Sequence, residues 1–321
     1  ATRRRRERRP SVGDGAEAGG EIVSIPHVRL EGRGARDERS VEDDVRASGD
    51  GWAVVTGASS GIGAAVARGL ARDGWPVVLI GRDVDRLSAV GDDCRSLGAR
   101  DVRAVSVDLR SIDAFAAVVR GLETEAPIRL FVACAGVFDG RREGEIVETA
   151  EVARAVIATN LTATIEGVEA VSAGMIGRGE GTIVLVASLA ALAPLADAPA
   201  YSASKAGLLA YGLALREALD DLGVRVVVAC PGYVATPMAA RHCGARPGEI
   251  DAEAAASRIL AGVAKNRAVT LFPKGIGFLA LLSRHLPAGL RRLGTRRLRF
   301  HVDTAADGEG AGAASPTPAD E

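Results

Sequence analysis

The chain has 321 residues, a formal net charge of −1, 47% apolar and 3% aromatic residues, enough for one large domain with tails and an Ala/Val/Leu-packed core. Its 40 basic residues are balanced by 41 acids, and only Lys205, Lys265 and Lys274 are lysines; this arginine-biased but balanced composition argues against a nucleic-acid binder. Cys94, Cys134, Cys230 and Cys243 have no metal-ligand spacing, so no metal site is expected, and they read as free thiols of a reducing, cytoplasmic compartment.

Residues 1–50 are polar, with a basic run from Arg3 to Arg9 and no apolar segment after it. That is unlike a secretory signal and predicts a disordered extension. Trp52–Thr56 is short, apolar and β-branched, which predicts a buried strand. Thr56, Gly57, Ser59, Ser60, Gly61, Ile62 and Gly63 then form a glycine-rich turn that opens a helical pattern through Val66 and Leu70. Strand, glycine turn and helix together predict a dinucleotide phosphate cradle. Glycine lets the backbone approach the phosphates, and the helix N-terminus offers free N–H groups and partial positive charge.

A second strand, Val77–Ile80, runs into Gly81-Arg82-Asp83. A carboxylate at the strand end would favour NAD. Gly81 stands there instead, and the neighbouring Arg82 guanidinium suits a 2′-phosphate, so NADP(H) is expected over NAD(H). The alternative is that Asp83 or Asp85 reaches the ribose. Val102–Val107 is a third strand and Asp108 follows it; a fourth, Arg129–Val132, leads to Ala133-Cys134-Ala135-Gly136. A long helical segment near 151–178 carries Asn160.

Thr182–Ala187 predicts a fifth strand with Ser188 at its end, placed to donate to a substrate carbonyl oxygen. Tyr201 and Lys205 are four apart on a predicted helix at 201–222, hence on one face. An ammonium there should lower the phenol from its usual value of about 10 towards useful acid/base range. The sixth strand, Val224–Ala229, ends at Cys230-Pro231-Gly232, which turns the chain over the cofactor. Residues 237–250, including Met238, His242 and Cys243, form the expected substrate loop, with His242 and Cys243 read as lid residues. Strands alternating with helices predict a doubly wound parallel α/β sheet of Rossmann type.

These motifs resemble the short-chain dehydrogenase/reductase family in its single-domain form: Thr-Gly-x-x-x-Gly-x-Gly at 56–63, then Ser188, Tyr201 and Lys205 in family order, over roughly residues 51–275. The resemblance implies an oxidoreductase in which a nicotinamide hydride reduces a carbonyl, or the reverse. Tyr201 would protonate the oxygen, Ser188 would hold it, and Lys205 would bind the nicotinamide ribose. It also implies that Asn160 bends its helix around a proton-relay water, and that Asp108 binds the adenine amino group with Leu109 beside it. A helix N-cap is the alternative for Asp108. Thr236 would contact the nicotinamide amide. Ala135 and Gly136 match the family's Asn-Asn-Ala-Gly, but both asparagines are absent, so their strand-tying hydrogen bonds are expected to be lost. A homodimer or homotetramer through 151–178 and 201–222 is implied.

Two other readings are weighed: a catalytically silent NADP(H)-binding regulator or scaffold, which the intact Tyr201/Lys205 pair opposes, and an epimerase or dehydratase, whose longer C-terminal domain this chain lacks. Residues 276–302 join Phe278, Leu279, Leu281 and Leu282 to an arginine-rich stretch. They read as a basic C-terminal helical extension beside the substrate pocket, in preference to an element lying on an anionic membrane. Residues 303–321 are acidic and rich in Gly, Ala and Pro, which predicts a disordered tail.

Overall fold

The computed structural model describes residues 51–283, 286–287, 289 and 299–303. The segments 1–50 and 304–321, expected to be disordered, lie outside the described residues, as does most of 284–298.

Seven parallel strands form the central sheet: β1 (Trp52–Thr56), β2 (Val77–Gly81), β3 (Val102–Ser106), β4 (Ile128–Ala133), β5 (Gly181–Val186), β6 (Val224–Pro231) and β7 (Val269–Phe272). Their spatial order is β7-β6-β5-β4-β1-β2-β3. β1 lies between β2 and β4, with Val55 opposite Leu79 on one side and Val132 on the other. The strand order reverses at this point, so a crevice opens beyond the carboxyl ends of β1 and β4. β7 was not read from the sequence: it has four residues and only alternate burial.

The helices are α1 (Gly61–Arg72), α2 (Val84–Ser96), α3 (Ile112–Glu125), α4 (Ala150–Ile157), α5 (Ala163–Arg178), α6 (Pro199–Leu219), α7 (Ala252–Ala264) and α8 (Lys274–Ser283). Successive strand residues face opposite sides. Val54, Phe131, Ile183 and Leu185 join Val168, Val171 and Met175 of α5 and Leu208 of α6 in one core. Val55, Leu79, Val132 and Val184 join Ala64, Ala67 and Leu70 of α1 and Ile259 of α7 in the other. Helices therefore cover both faces, as parallel sheets require.

Two sequence expectations are corrected. The segment at 151–178 is not one α-helix: residues 158–162 form a π turn between α4 and α5, with Asn160 fully buried in it. The C-terminal extension is not helical throughout. After α8, His301–Val302 is a strand antiparallel to His242–Cys243. It is extended because it is anchored at a distant site: Arg299 Nε lies 2.8 Å from both Asp197 carboxylate oxygens, and Phe300 N donates to Oδ2 at 3.1 Å.

Candidate active site

A cavity of about 770 Å³ lies along the carboxyl ends of the strands. At one end is the β1–α1 turn. Gly57 and Gly61 have φ of +68° and +54°, where side chains are strained. A Cβ on Gly57 would come within 2.7 Å of the Ala135 Cα, and one on Gly63 would collide with the Gly57 carbonyl oxygen. Ser60 caps α1 without a side-chain bond, and the first turn holds no acid, so its N–H groups remain open for an anion. Gly57, Ser59, Ser60, Gly61, Ile62 and Gly63 all line the cavity. A close backbone and an open helix N-terminus fit a dinucleotide phosphate.

Thr56 differs from that group. It is 2% exposed and lies behind the wall, its hydroxyl accepting from Cys134 N and Ala135 N, both at 3.1 Å. Asn160 is also behind the wall. Its side chain accepts from Val137 N at 2.7 Å and donates to Val137 O at 2.9 Å and Ser204 Oγ at 3.2 Å. The bonds of the two absent asparagines are missing, as the sequence implies, and Thr56 and Asn160 tie the same segment. Thr56 ties β1 to the segment after β4, and Asn160 ties that segment to α6. Ala135 and Gly136 are left bare on the cavity wall, and a Cβ on Gly136 would press on Asn160 Oδ1 at 3.1 Å and Lys205 Nζ at 3.5 Å.

Beyond β2 and β3 the cavity is lined by Arg82, Asp108, Leu109 and Arg110. Asp83 is engaged elsewhere: one carboxylate oxygen caps α2 through Arg86 N at 3.0 Å and the other pairs with Arg86 Nε at 3.1 Å. Neither Asp83 nor Asp85 faces the cavity. Asp108 does not cap α3, whose N-cap is Ser111. Its carboxylate instead holds Arg110 through two hydrogen bonds to Nε, at 3.1 and 3.0 Å, and one to Nη2, at 2.6 Å. The Arg110 hydrogen bond, followed by weaker effects including Arg82, keeps Asp108 below the usual carboxylate range. Arg110 was missed in the sequence, although it directly follows Asp108-Leu109.

Ser188, Tyr201 and Lys205 converge at the cavity's centre. Ser188 follows β5 by two residues; its oxygen accepts from Ala190 N at 3.1 Å, and its side chain also hydrogen-bonds Tyr201. Tyr201 stands in the first turn of α6. That helix begins with Pro199, and Ala198 gives it no side-chain cap. Glu148 supplies one from another loop, accepting from Ala200 N at 2.5 Å. Ser204 Oγ donates to the Tyr201 carbonyl at 2.7 Å. One turn on, Lys205 is 5% exposed and its ammonium donates to Val186 O at 2.9 Å.

The electrostatics depart from the sequence expectation. Burial pushes the Tyr201 phenol up to about 12, against the opposing hydrogen bond from Ser188. The Lys205 ammonium, 5.8 Å from the ring centroid, does not offset that burial, and burial drives Lys205 itself down to about 8. The Cys134 and Cys230 thiols near Lys205 are each pushed to about 12 by burial. They are protonated, unreactive thiols at neutral pH, Cys134 in the cavity wall and Cys230 buried behind it.

Pro231, Gly232, Thr236 and Met238 line the same cavity. The Thr236 hydroxyl caps the single turn Pro237–Ala240 through Ala239 N at 3.2 Å. The remaining wall is largely apolar and includes Phe138, Tyr233, His242, Ile276 and Ala280. Phe138 meets the Tyr201 ring edge-on at 5.0 Å, and His242 stacks on Phe300 at 4.2 Å between centroids. Burial lowers the His242 imidazole, making it a neutral packing ring. Phe138 was legible as the second residue after Gly136. Ile276, Ala280 and Phe300 had no local signal.

Comparison with known proteins agrees with this geometry. The family described as short chain dehydrogenase matches residues 51–245. An uncharacterized oxidoreductase of Myxococcus xanthus is 35% identical over 77% of this chain and 97% of its own length. A putative ketoacyl reductase of Streptomyces coelicolor is 35% identical over 68% of this chain and 84% of its own. Among solved structures, a variant of actinorhodin polyketide ketoreductase with NADPH superposes with TM-score 0.63 at 28% identity, covering 71% of this chain and 97% of that one. A short-chain dehydrogenase from Sphingobium yanoikuyae with NADPH gives 0.63 at 27% identity, covering 82% and 98%.

Proposed function

This chain belongs to the short-chain dehydrogenase family, and we propose that it reduces a small-molecule carbonyl with NADPH, or oxidises the matching alcohol with NADP. The observation that carries this reading is the convergence of Ser188, Tyr201 and Lys205 in one cavity with the glycine cradle. Bound NADPH would supply the hydride that adds to the carbonyl carbon.

Each protein group then has a distinct part. Ser188, which hydrogen-bonds Tyr201 in the protein without ligand, would turn its hydroxyl to the substrate oxygen and hold it. Tyr201, held protonated by burial, gives its proton to that oxygen as negative charge develops there. Lys205 lies one turn further along the same cavity wall and would hold the nicotinamide ribose. Asn160 and Thr56 position the bare Ala135-Gly136 wall and do not touch the reacting atoms. In the reverse direction Tyr201 must first lose its proton, which its burial disfavours.

Arg82 and Arg110 give the far end of the cavity two guanidinium groups, and no carboxylate stands at the end of β2. This supports NADP(H) over NAD(H). Asp108 and Leu109, which line the cavity, would take the adenine, and Thr236 the nicotinamide amide. Assembly through α4–α5 and α6 goes with this reading, and a monomeric mass in light scattering would contradict it.

The test is oxidation of NADPH and NADH by the purified protein over ketones, aldehydes and 3-oxoacyl thioesters, with Tyr201→Phe alongside. Turnover with NADPH that Tyr201→Phe abolishes is expected. Turnover that survives Tyr201→Phe would remove the acid role. Arg82→Ala should weaken NADPH about tenfold or more and leave NADH little changed; equal loss of both would refute the 2′-phosphate reading.

A further inference from the structure

We propose that Phe300, on the segment 299–303, sets the width of the substrate end of the cavity by holding His242 and Phe138 in place. It is a positioning residue, selecting substrates by size without touching them. The proposal rests on the reading of this cavity as the site of a carbonyl substrate.

The observation is a strap fixed at both ends and laid behind the cavity wall. At its start stands the Asp197 carboxylate, which is 1% exposed. It accepts from Arg299 Nε at 2.8 Å and from Phe300 N at 3.1 Å. At its end, Val302 N donates to Arg141 O and Asp303 N to Arg241 O, both at 3.0 Å. Between these anchors His301–Val302 pairs with His242–Cys243, so the strap is hydrogen-bonded to the strand that carries His242. Gly244 permits so close an approach: a Cβ there would meet the Phe300 Cβ at 2.7 Å and His242 Cε1 at 3.0 Å.

Phe300 is 2% exposed and is not part of the cavity lining, whereas His242 and Phe138 are. Packing places the His242 ring: Phe300 stacks on it at 4.2 Å, Tyr233 meets it edge-on at 5.2 Å, and Phe138 lies at 5.9 Å. Phe300 also backs Phe138 at 5.8 Å, and Phe138 meets the Tyr201 ring edge-on at 5.0 Å. Rings packed this closely leave no slack, and a ring removed from behind gives the one in front room to move back. A substituent that lies against His242 and Phe138 must therefore fit the space that Phe300 leaves. The width of the site is set by a residue far along the chain from Ser188, Tyr201 and Lys205.

The experiment compares acetophenone with the wider 2-acetonaphthone. Calorimetry gives the Kd of each on NADPH-loaded Tyr201→Phe protein, with and without Phe300→Ala, so that no turnover intervenes. The kcat/KM of each is then measured with Tyr201 intact. Phe300→Ala should raise the ratio of the wide ketone to the narrow one about tenfold or more in both measurements, the scale on which an apolar pocket senses size. NADPH affinity should not change. Phe300→Leu should shift the ratio the same way by less. So should Arg299→Ala, which loosens the strap at a half-exposed side chain; these two carry the test if Phe300→Ala misfolds. A ratio that none of the variants raises would overturn the proposal. So would an equal loss with both ketones, which marks a purely structural role. If the affinity ratio shifts as stated but the Tyr201 proteins show no turnover, the catalytic reading fails and this one holds.

Discussion

Replacing Lys205 with methionine should make the cofactor-free protein more stable while removing its activity. The Lys205 ammonium is buried, has no carboxylate partner among the described residues, and donates to a carbonyl, Val186 O, at 2.9 Å. Burial lowers it from 10.5 to about 8. At about 1.36 kcal/mol per pH unit, that gap is worth roughly 3 kcal/mol of destabilisation in the charged form. Losing the bond to Val186 O offsets about 1–2 kcal/mol, and methionine keeps most of the packed volume. A net gain of about 1–2 kcal/mol at pH 7 follows, or about 2–8 °C in Tm for a domain of this size.

The sign fixes the pH window. A base whose folded value is depressed destabilises fully below that folded value and ceases to do so as pH rises through the unfolded one. The gain from Lys205→Met should therefore be largest at pH 7 and shrink between about 8 and 10.5. Thermal and urea unfolding of both proteins without cofactor, at pH 7 and pH 10, measures it. NADPH oxidation should be lost at both. A Tm at pH 7 that falls on Lys205→Met, or a gain of the same size at pH 10, would refute the reasoning.

Gly63→Ala should weaken NADPH binding about tenfold or more in a fluorescence titration, because its Cβ would collide with the Gly57 carbonyl oxygen in the phosphate turn; unfolding should remain cooperative. Asp197→Asn should destabilise by about 2–3 kcal/mol in urea, since it leaves the half-buried Arg141 and the Arg299 anchor without their shared carboxylate. Burial would raise Asp197, but its hydrogen bonds to Arg299 and Arg141 outweigh it and hold the carboxyl below 3.8. The carboxylate's contribution is thus fully present above that value and lost as pH falls below it, so the difference between the two proteins should narrow in acid. Glu148→Ala should cost about 1 kcal/mol by uncapping α6 and should lower kcat through Tyr201 in the same turn. Glu148→Gln, which can still accept from Ala200 N, should restore both in unfolding and turnover assays.

The parts legible in the sequence were those whose signal is local. The Trp52–Thr56 run and the glycines after it specify strand, turn and open helix end within a dozen residues, because burial, backbone freedom and helix start all act over that distance. The four-residue spacing of Tyr201 and Lys205 works the same way, since one helical turn places both on one face. Ser188 is read from the end of its apolar strand. β7 escaped because four residues, two of them buried, carry too short a pattern, whereas the π turn at Asn160 lies where the family resemblance implies a bent helix.

The sequence determined the sheet type, the glycine-rich turn after β1 and the residues that gather at the candidate site. Only the tertiary structure decided their electrostatics and surroundings. Lys205 is near Tyr201 in the sequence, but burial in a cavity built from β4, β5 and β6 governs both groups and raises the phenol. The bonds of the missing asparagines are lost, and Thr56 and Asn160, 78 and 23 residues from their partners, tie the same segment. Asp197 gathers Arg141 and Arg299 from 56 and 102 residues away. Such contacts leave no periodic trace along the chain, because they depend on where separate elements end in space and not on which residues are neighbours.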